Sequence, residues 1–543
     1  MSIRLPRFLV FALSATALAL PAAAQTLSES AAMTATALPG DGSVRALVSA
    51  LRAGKIASVD LVTRYEAAIA RNDRAGAELG SIIVLDPAAM DAARAMDAAR
   101  AAGAPTGTLG GVPILVKDNI ETAGLPTTAG SLALKDNVNG RDATVAARLI
   151  AAGALVLGKT NLSEWANIRS SHSISGWSAV GGLVKNPYSL DRSACGSSSG
   201  TGAAIAASLA AAGVGTETDG SVVCPSSVNG LAGLKPTVGL VSRTFVVPIS
   251  HTQDTPGPMG RSVADVAALL SAMAGSDPAD LATLASDAHK RDYAGALGGA
   301  SLRGKRLGVL RYATGSSQSV DALFERALAT LRAQGATLVE LKKFKPDPRL
   351  GDLEFKVLLT ELKADLNTYL AGSPAPIKTR TLADVIAFDK ASPRELGLFD
   401  QDIFELAQAT KGLNDPAYRR ARALAKRLAA AEGIDTLIVD NKLDALIAPG
   451  DGPASRIDVV TGDHFSGGSA TSLAAVAGYP NLTVPMGYVQ GMPVGIDFIG
   501  RAWTEDRLLA LGYAFEQATH ARHAPAYEPS VEGTERIQRL FAP

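Results

Sequence analysis

One stretch of the chain concentrates serines and glycines in a way that suits nucleophilic chemistry. Residues 193–230 read SACGSSSGTGAAIAASLAAAGVGTETDGSVVCPSSVNG, with glycines beside the serine clusters. Glycine permits close backbone approaches that other residues block, so such a stretch can point several N–H groups at one oxyanion. The alternative is a Ser/Gly-rich surface loop. The apolar run over residues 203–214 argues against it, because this run predicts a buried helix and a flexible linker has no reason to contain one.

A serine needs a base before it can act as a nucleophile. The usual partner is histidine, and none of the six stands in a clear motif beside a serine cluster: His172, His251, His289, His464, His520 and His523. A buried neutral lysine is the other option, because burial disfavours the ammonium form. Lys117 is the candidate, since it ends the apolar run 112–116 and open α/β sheets bind ligands at the carboxyl ends of strands. The alternative is a surface lysine paired with Asp118.

The elements that must position these groups alternate between strand and helix. The pattern predicts helices over 44–105 and then strands, at 112–116, 154–157, 306–310, 337–341, 443–448 and near 482–485. A helix that ends at Gly153 separates the strands at 112–116 and 154–157, and a helix that ends at Gly335 separates those at 306–310 and 337–341. This alternation predicts an α/β sheet with crossovers. Residues 350–432 are more charged, and we interpret them as a helical insertion that covers the sheet and could form one wall of a substrate cleft.

Composition narrows the class of protein. The chain has 543 residues, with 52 Lys and Arg against 52 Asp and Glu, so it lacks the basic excess that nucleic acid or an anionic membrane requires. It is 47% apolar and 19% charged, which is typical of a globular protein. Two cysteines exclude a disulfide scaffold and a Cys-rich zinc site, and we predict no metal or cofactor. Cys195 and Cys224 lie close to the serine clusters, where they could form one disulfide or remain two buried thiols.

The N-terminus has the pattern of a secretory signal. Arg4 and Arg7 precede an apolar stretch over 8–20, and small residues follow up to Ala24. The apolar stretch is too short for the alternative, a membrane anchor, and no later segment reaches spanning length. We therefore expect a signal peptide over 1–24, one domain over 25–543, and a secreted or periplasmic protein with no integral membrane segment after cleavage.

Three motifs in a fixed order carry a resemblance to a known family. They are GGVPILVKDN at 110–119, GSSSG at 196–200 and GTETDGS at 215–221, and weaker matches are GKTN at 158–161, GLKPT at 233–237, QDTPGP at 253–258 and the segment 478–495. The key positions Lys117, Ser197 and Ser221 are separated by 80 and 24 residues. On these motifs the chain resembles the amidase signature family from about residue 44 to residue 519.

The resemblance implies a fold and a mechanism. The fold is a single α/β domain with a central twisted mixed sheet covered by helices. Lys117 matches the base of a metal-free Ser–Ser–Lys triad, Ser197 the bridging serine, which follows a cis peptide bond, and Ser221 the nucleophile that forms an acyl-enzyme. The backbone N–H groups of Thr218, Asp219, Gly220 and Ser221 match the oxyanion hole. Ser131 and Ser198 are supporting residues, and we expect Ser131 to hydrogen-bond Lys117.

The nucleophile motif departs from the commoner family pattern at two positions. Asp219 replaces a glycine, and since Asp tolerates a left-handed backbone better than most residues, we expect it to keep the turn. Val223 stands where family members that act on small dicarboxylate amides often carry Arg. Without that Arg, and with the Asp219 carboxylate nearby, we expect a neutral or cationic amide substrate. The TETDGS variant, with VSR at 241–243 and PIS at 248–250, resembles the peptide amidase branch, which releases ammonia from C-terminal peptide amides.

Several alternatives remain. GSSSG also fits the nucleophile elbow of α/β hydrolases with Ser198 as nucleophile, but that elbow follows an apolar strand and residues 185–192 are polar. An amidase subunit that makes glutaminyl-tRNA conflicts with the predicted signal peptide, because tRNA is cytoplasmic. Broad-specificity or fatty-amide hydrolysis would fit the same family. A periplasmic solute-binding protein without catalysis would need no Lys–Ser–Ser set.

Overall fold

The computed structural model describes residues 38–464 and 466–542. The predicted signal peptide therefore lies outside the described residues, and its cleavage stays a prediction. Within the described part of the chain, no helix combines the length and the apolar character needed to cross a membrane.

Eleven of the strands in the described residues form one mixed sheet, as predicted for the fold class. The strands are β1 (Ile82–Leu85), β2 (Pro113–Lys117), β3 (Leu155–Thr160), β4 (Trp177–Ser178), β5 (Gly182–Leu183), β6 (Lys185–Asn186), β7 (Ser189–Ser193), β8 (Ala212–Glu217), β9 (Ala232–Lys235), β10 (Thr255–Gly260), β11 (Arg306–Val309), β12 (Thr337–Glu340), β13 (Ala445–Gly450), β14 (Asn481–Val489) and β15 (Met492–Ile499). The order of strands in the large sheet is β1-β3-β2-β8-β10-β9-β14-β15-β13-β11-β12. Strands β4 with β5 and β6 with β7 form two small separate ribbons.

Helices cover this sheet. They are α1 (Val44–Arg52), α2 (Ser58–Asn72), α3 (Ala89–Ala101), α4 (Thr144–Ala151), α5 (Ser199–Ala206), α6 (Val223–Val228), α7 (Val263–Met273), α8 (Ser286–His289), α9 (Gln318–Ala333), α10 (Leu350–Ala371), α11 (Leu382–Ala391), α12 (Asp402–Gln408), α13 (Pro416–Lys426), α14 (Thr436–Asp440), α15 (Thr471–Ala477), α16 (Glu505–Thr519) and α17 (Glu535–Phe541). A π-helical segment, Arg427–Asp435, joins α13 to α14.

The strand that carries Lys117 lies inside the sheet. All five residues of β2 are buried, and β2 pairs in parallel with β3 on one side and β8 on the other. A strand flanked in this way and covered on both faces needs a nearly continuous apolar sequence, and PILVK provides it up to its last residue. Because β2 and β8 are parallel, Lys117 and the residues at the end of β8 lie at the same edge of the sheet.

Two predictions of helix are wrong. The run over 203–214 does not form one helix: α5 ends at Ala206, Ser208 has a φ of +57°, and β8 begins at Ala212. An apolar run that is buried all round has no periodicity that separates helix from strand, and the left-handed residue between the two elements gives no signal in an Ala-rich sequence. The helical region 44–105 likewise contains the strand β1, which pairs with β3.

Helices α10 to α12 pack over the loops that follow β2. Leu362 and Leu366 of α10 and Phe404 of α12 share a buried apolar cluster with Trp165 and Val247, and this cluster also contains residues of the loop after β2. The Trp165 and Phe404 rings meet edge to face, with centroids 5.7 Å apart. This segment therefore lies over the edge of the sheet at which β2 ends.

Candidate active site

Lys117, Ser197 and Ser221 converge at this edge from three chain segments. Lys117 is the last residue of β2, Ser197 precedes α5, and Ser221 lies in the turn between β8 and α6. Lys117 and Ser197 are fully buried, whereas Ser221 keeps 8% of its surface exposed. The Gly196–Ser197 peptide bond is cis, as the family resemblance implies. The Ser198 amide donates to the Ser221 carbonyl at 3.1 Å, which joins the two serine segments directly.

Lys117 contacts neutral groups. Its Nζ lies 2.7 Å from Ser197 Oγ, 3.0 Å from Thr216 Oγ1 and 3.3 Å from the Thr216 carbonyl. None of the ion pairs among the described residues includes Lys117. Burial lowers the pKa of Lys117 to about 7, while the charges of Asp254 and Glu217 act in the opposite direction. A large share of Lys117 is therefore neutral near pH 7, and a neutral amine 2.7 Å from a serine hydroxyl can accept its proton. The alternative of a surface lysine paired with Asp118 is wrong, because Asp118 pairs with the buried Lys159 at 3.2 Å.

Thr216 and Ser198 hold the lysine and the serine segment together. Ser198 Oγ donates to the Thr216 carbonyl and accepts from the Thr216 amide, both at 3.2 Å. The side-chain amide of Asn119 donates through Nδ2 to Thr216 Oγ1 at 2.9 Å. Gly215 permits this approach, since a Cβ there would lie 2.5 Å from Ser198 Oγ. Sequence analysis did not single out Thr216 or Asn119, although both lie inside the motifs that carry the family resemblance.

The turn from Thr218 to Ser221 offers backbone donors. In the described part of the chain, no hydrogen bond within the protein takes up the amides of these four residues. The buried Glu217 carboxylate accepts from the Val222 and Val223 amides at 2.7 and 2.9 Å, which fixes the chain directly after Ser221. Four free amides beside a serine can stabilise a negative oxygen. The left-handed residue of the turn is Gly220, with φ of +82°, so Asp219 is accommodated in the turn without taking this conformation itself.

The expected contact between Ser131 and Lys117 is also wrong. The Ser131 hydroxyl donates to Glu395 Oε1 at 3.0 Å and accepts from the Ala133 amide at 3.1 Å. It therefore joins the loop after β2 to the segment after α11, and Thr216 contacts the lysine instead. The sequence around Ser131 does not distinguish these two uses of a buried serine.

Carboxyl groups from three segments interact with one another at the turn that carries Ser221. Ser472 Oγ donates to Asp219 Oδ2 at 2.6 Å, and the other Asp219 oxygen is buried without a partner. Burial raises the pKa of Asp219, and burial together with the Asp219 charge raises the pKa of Glu354 of α10 well above its usual range. Burial also raises the pKa of Asp451 to about 6. Glu354, whose pKa is raised well above its usual range, contributes a neutral carboxyl rather than a repelling charge. A free substrate carboxylate also lacks the Arg clamp, because Val223 stands at that position and is buried.

The two cysteines form a disulfide in the structure, which is one of the two options that the sequence left open. Cys195 lies two residues before Ser197, and Cys224 lies three residues after Ser221. The bridge therefore ties together the two segments that carry the serines.

Within the described residues, two groups of side chains are close enough to hold a metal ion: His172 with Asp400 and Asp402, and His251 with Glu361 and Asp365. Neither group contains Lys117, Ser197 or Ser221. In the second group Glu361 already accepts hydrogen bonds from Ser250, Thr252 and Tyr418, so a dense protein network occupies its oxygens.

The fold, and the turn that presents Ser221 beside unbonded backbone amides, define an enzyme that hydrolyses amide C–N bonds. Comparisons with known proteins agree. The Amidase family model matches residues 64–509. The crystal structure of the peptide amidase PAM with the competitive inhibitor chymostatin is 49% identical, with a TM-score of 0.86, over 90% of this chain and 99% of that chain. A probable amidase of Arabidopsis thaliana is 40% identical over 77% of this chain and 78% of its own. One of the subunits of the glutamyl-tRNA(Gln) amidotransferase of Symbiobacterium thermophilum is 34% identical over 87% of this chain and 96% of its own. The chain belongs to the amidase signature family.

Proposed function

We propose that the protein removes the C-terminal amide of peptides, with Ser221 as nucleophile, Ser197 as bridging serine and Lys117 as base. The observation that carries this proposal is the 2.7 Å contact between the buried Lys117 amine and the Ser197 hydroxyl, at a lysine that has no carboxylate partner among the described residues. A lysine in an ion pair would stay protonated, whereas this one can exist as the free amine.

The proposed reaction proceeds in two halves. Neutral Lys117 takes the Ser197 proton while Ser197 takes the Ser221 proton, and Ser221 Oγ bonds to the amide carbon. The carbonyl oxygen becomes negative and accepts hydrogen bonds from the amides of the 218–221 turn. The C–N bond then breaks as the relay returns a proton to nitrogen, and ammonia leaves. Water, deprotonated through the same relay, attacks the ester of Ser221 and releases the peptide acid, which restores the starting protonation states.

The substrate class follows from the similarity and from the identity of residue 223. A peptide amidase that binds the inhibitor chymostatin is 49% identical to this chain. Val223 stands where an Arg clamp for a free substrate carboxylate would stand, and a peptide amide has no such carboxylate at its reacting end. Broad-specificity or fatty-amide hydrolysis, glutamine-dependent amidotransfer and solute binding without catalysis are outcomes of the test.

The test is ammonia release from a substrate panel, with wild type and Ser221→Ala side by side. The panel contains amidated dipeptides, their free acids, free glutamine and a long-chain fatty amide. Ammonia from amidated dipeptides that vanishes in Ser221→Ala supports the proposal. Release only from glutamine or the fatty amide keeps the triad and rejects the peptide substrate. Tight binding of all amides without turnover, equal in both proteins, rejects catalysis.

We also propose that the protein is exported and cut after Ala24. The arginines, apolar stretch and small residues at the start of the chain support this proposal. N-terminal sequencing of protein from fractionated cells tests it. A periplasmic product that begins at Gln25 is expected, and an uncleaved cytoplasmic product would reject export.

A further inference from the structure

Asp254 connects the nucleophile turn to a neighbouring loop through hydrogen bonds. One of its carboxylate oxygens accepts from the Thr218 hydroxyl at 2.7 Å, and the other accepts from the Ile249 and Ser250 amides, both at 2.8 Å. Thr218 supplies the first backbone donor of the predicted oxyanion hole. The carboxylate therefore has its oxygens satisfied by two chain segments, and its orientation is fixed by three donors.

The same carboxylate lies near the proposed base, because Thr255, the next residue, pairs with Glu217 of β8, and Lys117 Nζ contacts the adjacent Thr216. Among the charges that act on Lys117, that of Asp254 is the largest and that of Glu217 the second. Asp254 makes no direct ion pair with Lys117, so it favours the ammonium form without occupying the amine. The neighbouring Asp118 charge is taken up by Lys159.

Beyond Asp254, a cavity of about 460 Å³ opens toward solvent. Its charged groups are largely paired with one another: Arg243 with Asp280, His251 with Asp365, and Arg141 with Glu121 at the edge of the cavity. Tyr369 of α10 also lines it. Arg243 lowers the pKa of Asp254, whereas burial, the larger cause, raises it to about 6. Asp254 therefore carries a negative charge at neutral pH, and it lines this cavity.

We propose that Asp254 is a positioning residue that holds the oxyanion turn through Thr218 and places a buried negative charge near Lys117. The inference rests on the proposed role of Lys117 as base. It assigns two separable effects to one carboxylate, because the hydrogen bond acts on the geometry of the turn and the charge acts on the proton affinity of the amine.

The charge is tested by the pH profile of kcat/KM for an amidated dipeptide. Lys117 must be neutral to act, so activity rises with pH through its pKa. Asp254→Asn keeps the shape and an acceptor for Thr218 but removes the charge, which lowers the pKa of Lys117. We expect the acid limb to move to lower pH by roughly one unit, so that activity at pH 6 relative to pH 8 rises by ~5-fold. Asp365→Asn, which removes a carboxylate from the far side of the same cavity, should leave the limb in place.

The hydrogen bond is tested at Thr218 without touching the charge. Thr218→Val loses the hydroxyl, and its kcat should be about 10-fold below that of Thr218→Ser, which keeps the hydroxyl, because one oxyanion contact is weakened. Equal kcat in the two variants would overturn this half even if Asp254→Asn does not fold.

The remaining outcomes separate this inference from the proposed function. An unmoved acid limb in a folded Asp254→Asn, or an equal shift in Asp365→Asn, overturns the assignment of the charge while the triad stands. Amide hydrolysis that survives in Ser221→Ala rejects the proposed function itself.

Discussion

Replacing Lys117 by Met should abolish amide hydrolysis and change the pH dependence of folding in a defined way. Lys117 is fully buried, and its pKa of about 7 lies below the ordinary value of 10.5. Between these two values the unfolded chain binds a proton that the folded chain does not. Above pH 10.5 this proton therefore does not affect the free energy of unfolding. As the pH falls from 10.5 toward 7, the unfolded chain binds the proton and the free energy of unfolding decreases.

The magnitude follows from that difference. In the window above pH 7, the free energy of unfolding of wild type should gain up to ~1.4 kcal/mol per pH unit relative to Lys117→Met. At pH 7 the lowered pKa of Lys117 reduces the free energy of unfolding of wild type by ~4 kcal/mol. Methionine removes it but leaves the Ser197 hydroxyl short of a partner, at ~1–3 kcal/mol. We therefore expect the variant to be as stable as wild type or more stable at pH 7, and to lose this advantage by pH 9.

The assay is urea unfolding of both proteins at pH 7, 8 and 9, without reductant, beside ammonia release. Lys159→Met is the matched control. Lys159 is equally buried but pairs with Asp118 at 3.2 Å, so its removal leaves a buried carboxylate unpaired and should destabilise the fold by ~3–5 kcal/mol. A stability difference between wild type and Lys117→Met that does not vary from pH 7 to 9 would show that Lys117 does not titrate in this window. Retained hydrolysis in the variant would refute its role as base.

Three further predictions follow from the site. The kcat/KM of wild type should rise with pH along an acid limb centred near 7, where Lys117 loses its proton; a limb centred near 4–5 in a pH–rate profile would assign the base to a carboxylate instead. Replacing Cys195 and Cys224 by serine should lower the free energy of unfolding by ~3–4 kcal/mol, since the bridge closes a loop with a sequence separation of 29, and urea unfolding measures this; an unchanged midpoint would contradict it. Ser198→Ala removes both side-chain bonds to Thr216 and should lower kcat about 10-fold with little change in KM, whereas a pure KM effect in steady-state kinetics would place Ser198 in substrate binding instead.

The order of motifs made the family and the sheet predictable from the sequence, because the three main motifs lie at the end of β2, the start of α5 and the end of β8. The strand over 112–116 is found as Pro113–Lys117, and the mixed sheet is confirmed. The strand β8 was not predictable, since an Ala-rich buried run has the same apolar pattern in a helix and in a strand.

Within the site, the limits have a different cause. A motif identifies which serines and lysine lie together, but hydrogen-bond partners depend on distances of a few tenths of an ångström between segments far apart in the chain. Thr216 and Ser131 are both buried hydroxyl residues, yet Thr216 contacts Lys117 and Ser131 contacts Glu395. Glu354 approaches the site from α10, which carries no motif at all, so the sequence gives no signal for it.

The parallel pairing of β2 with β8 has a consequence for when this chemistry exists. Lys117 and Thr216 come within 3.0 Å only when these two strands, which are 99 residues apart in the chain at this contact, are in register. Side chains alternate along a strand, so a slip of one residue would turn Lys117 to the opposite face. A chain in which these two strands have not yet paired therefore contains every reactive residue but lacks the assembled site. The rate at which ammonia release recovers during refolding would therefore report the pairing of the two strands. Before they pair, the nascent chain does not hydrolyse amides.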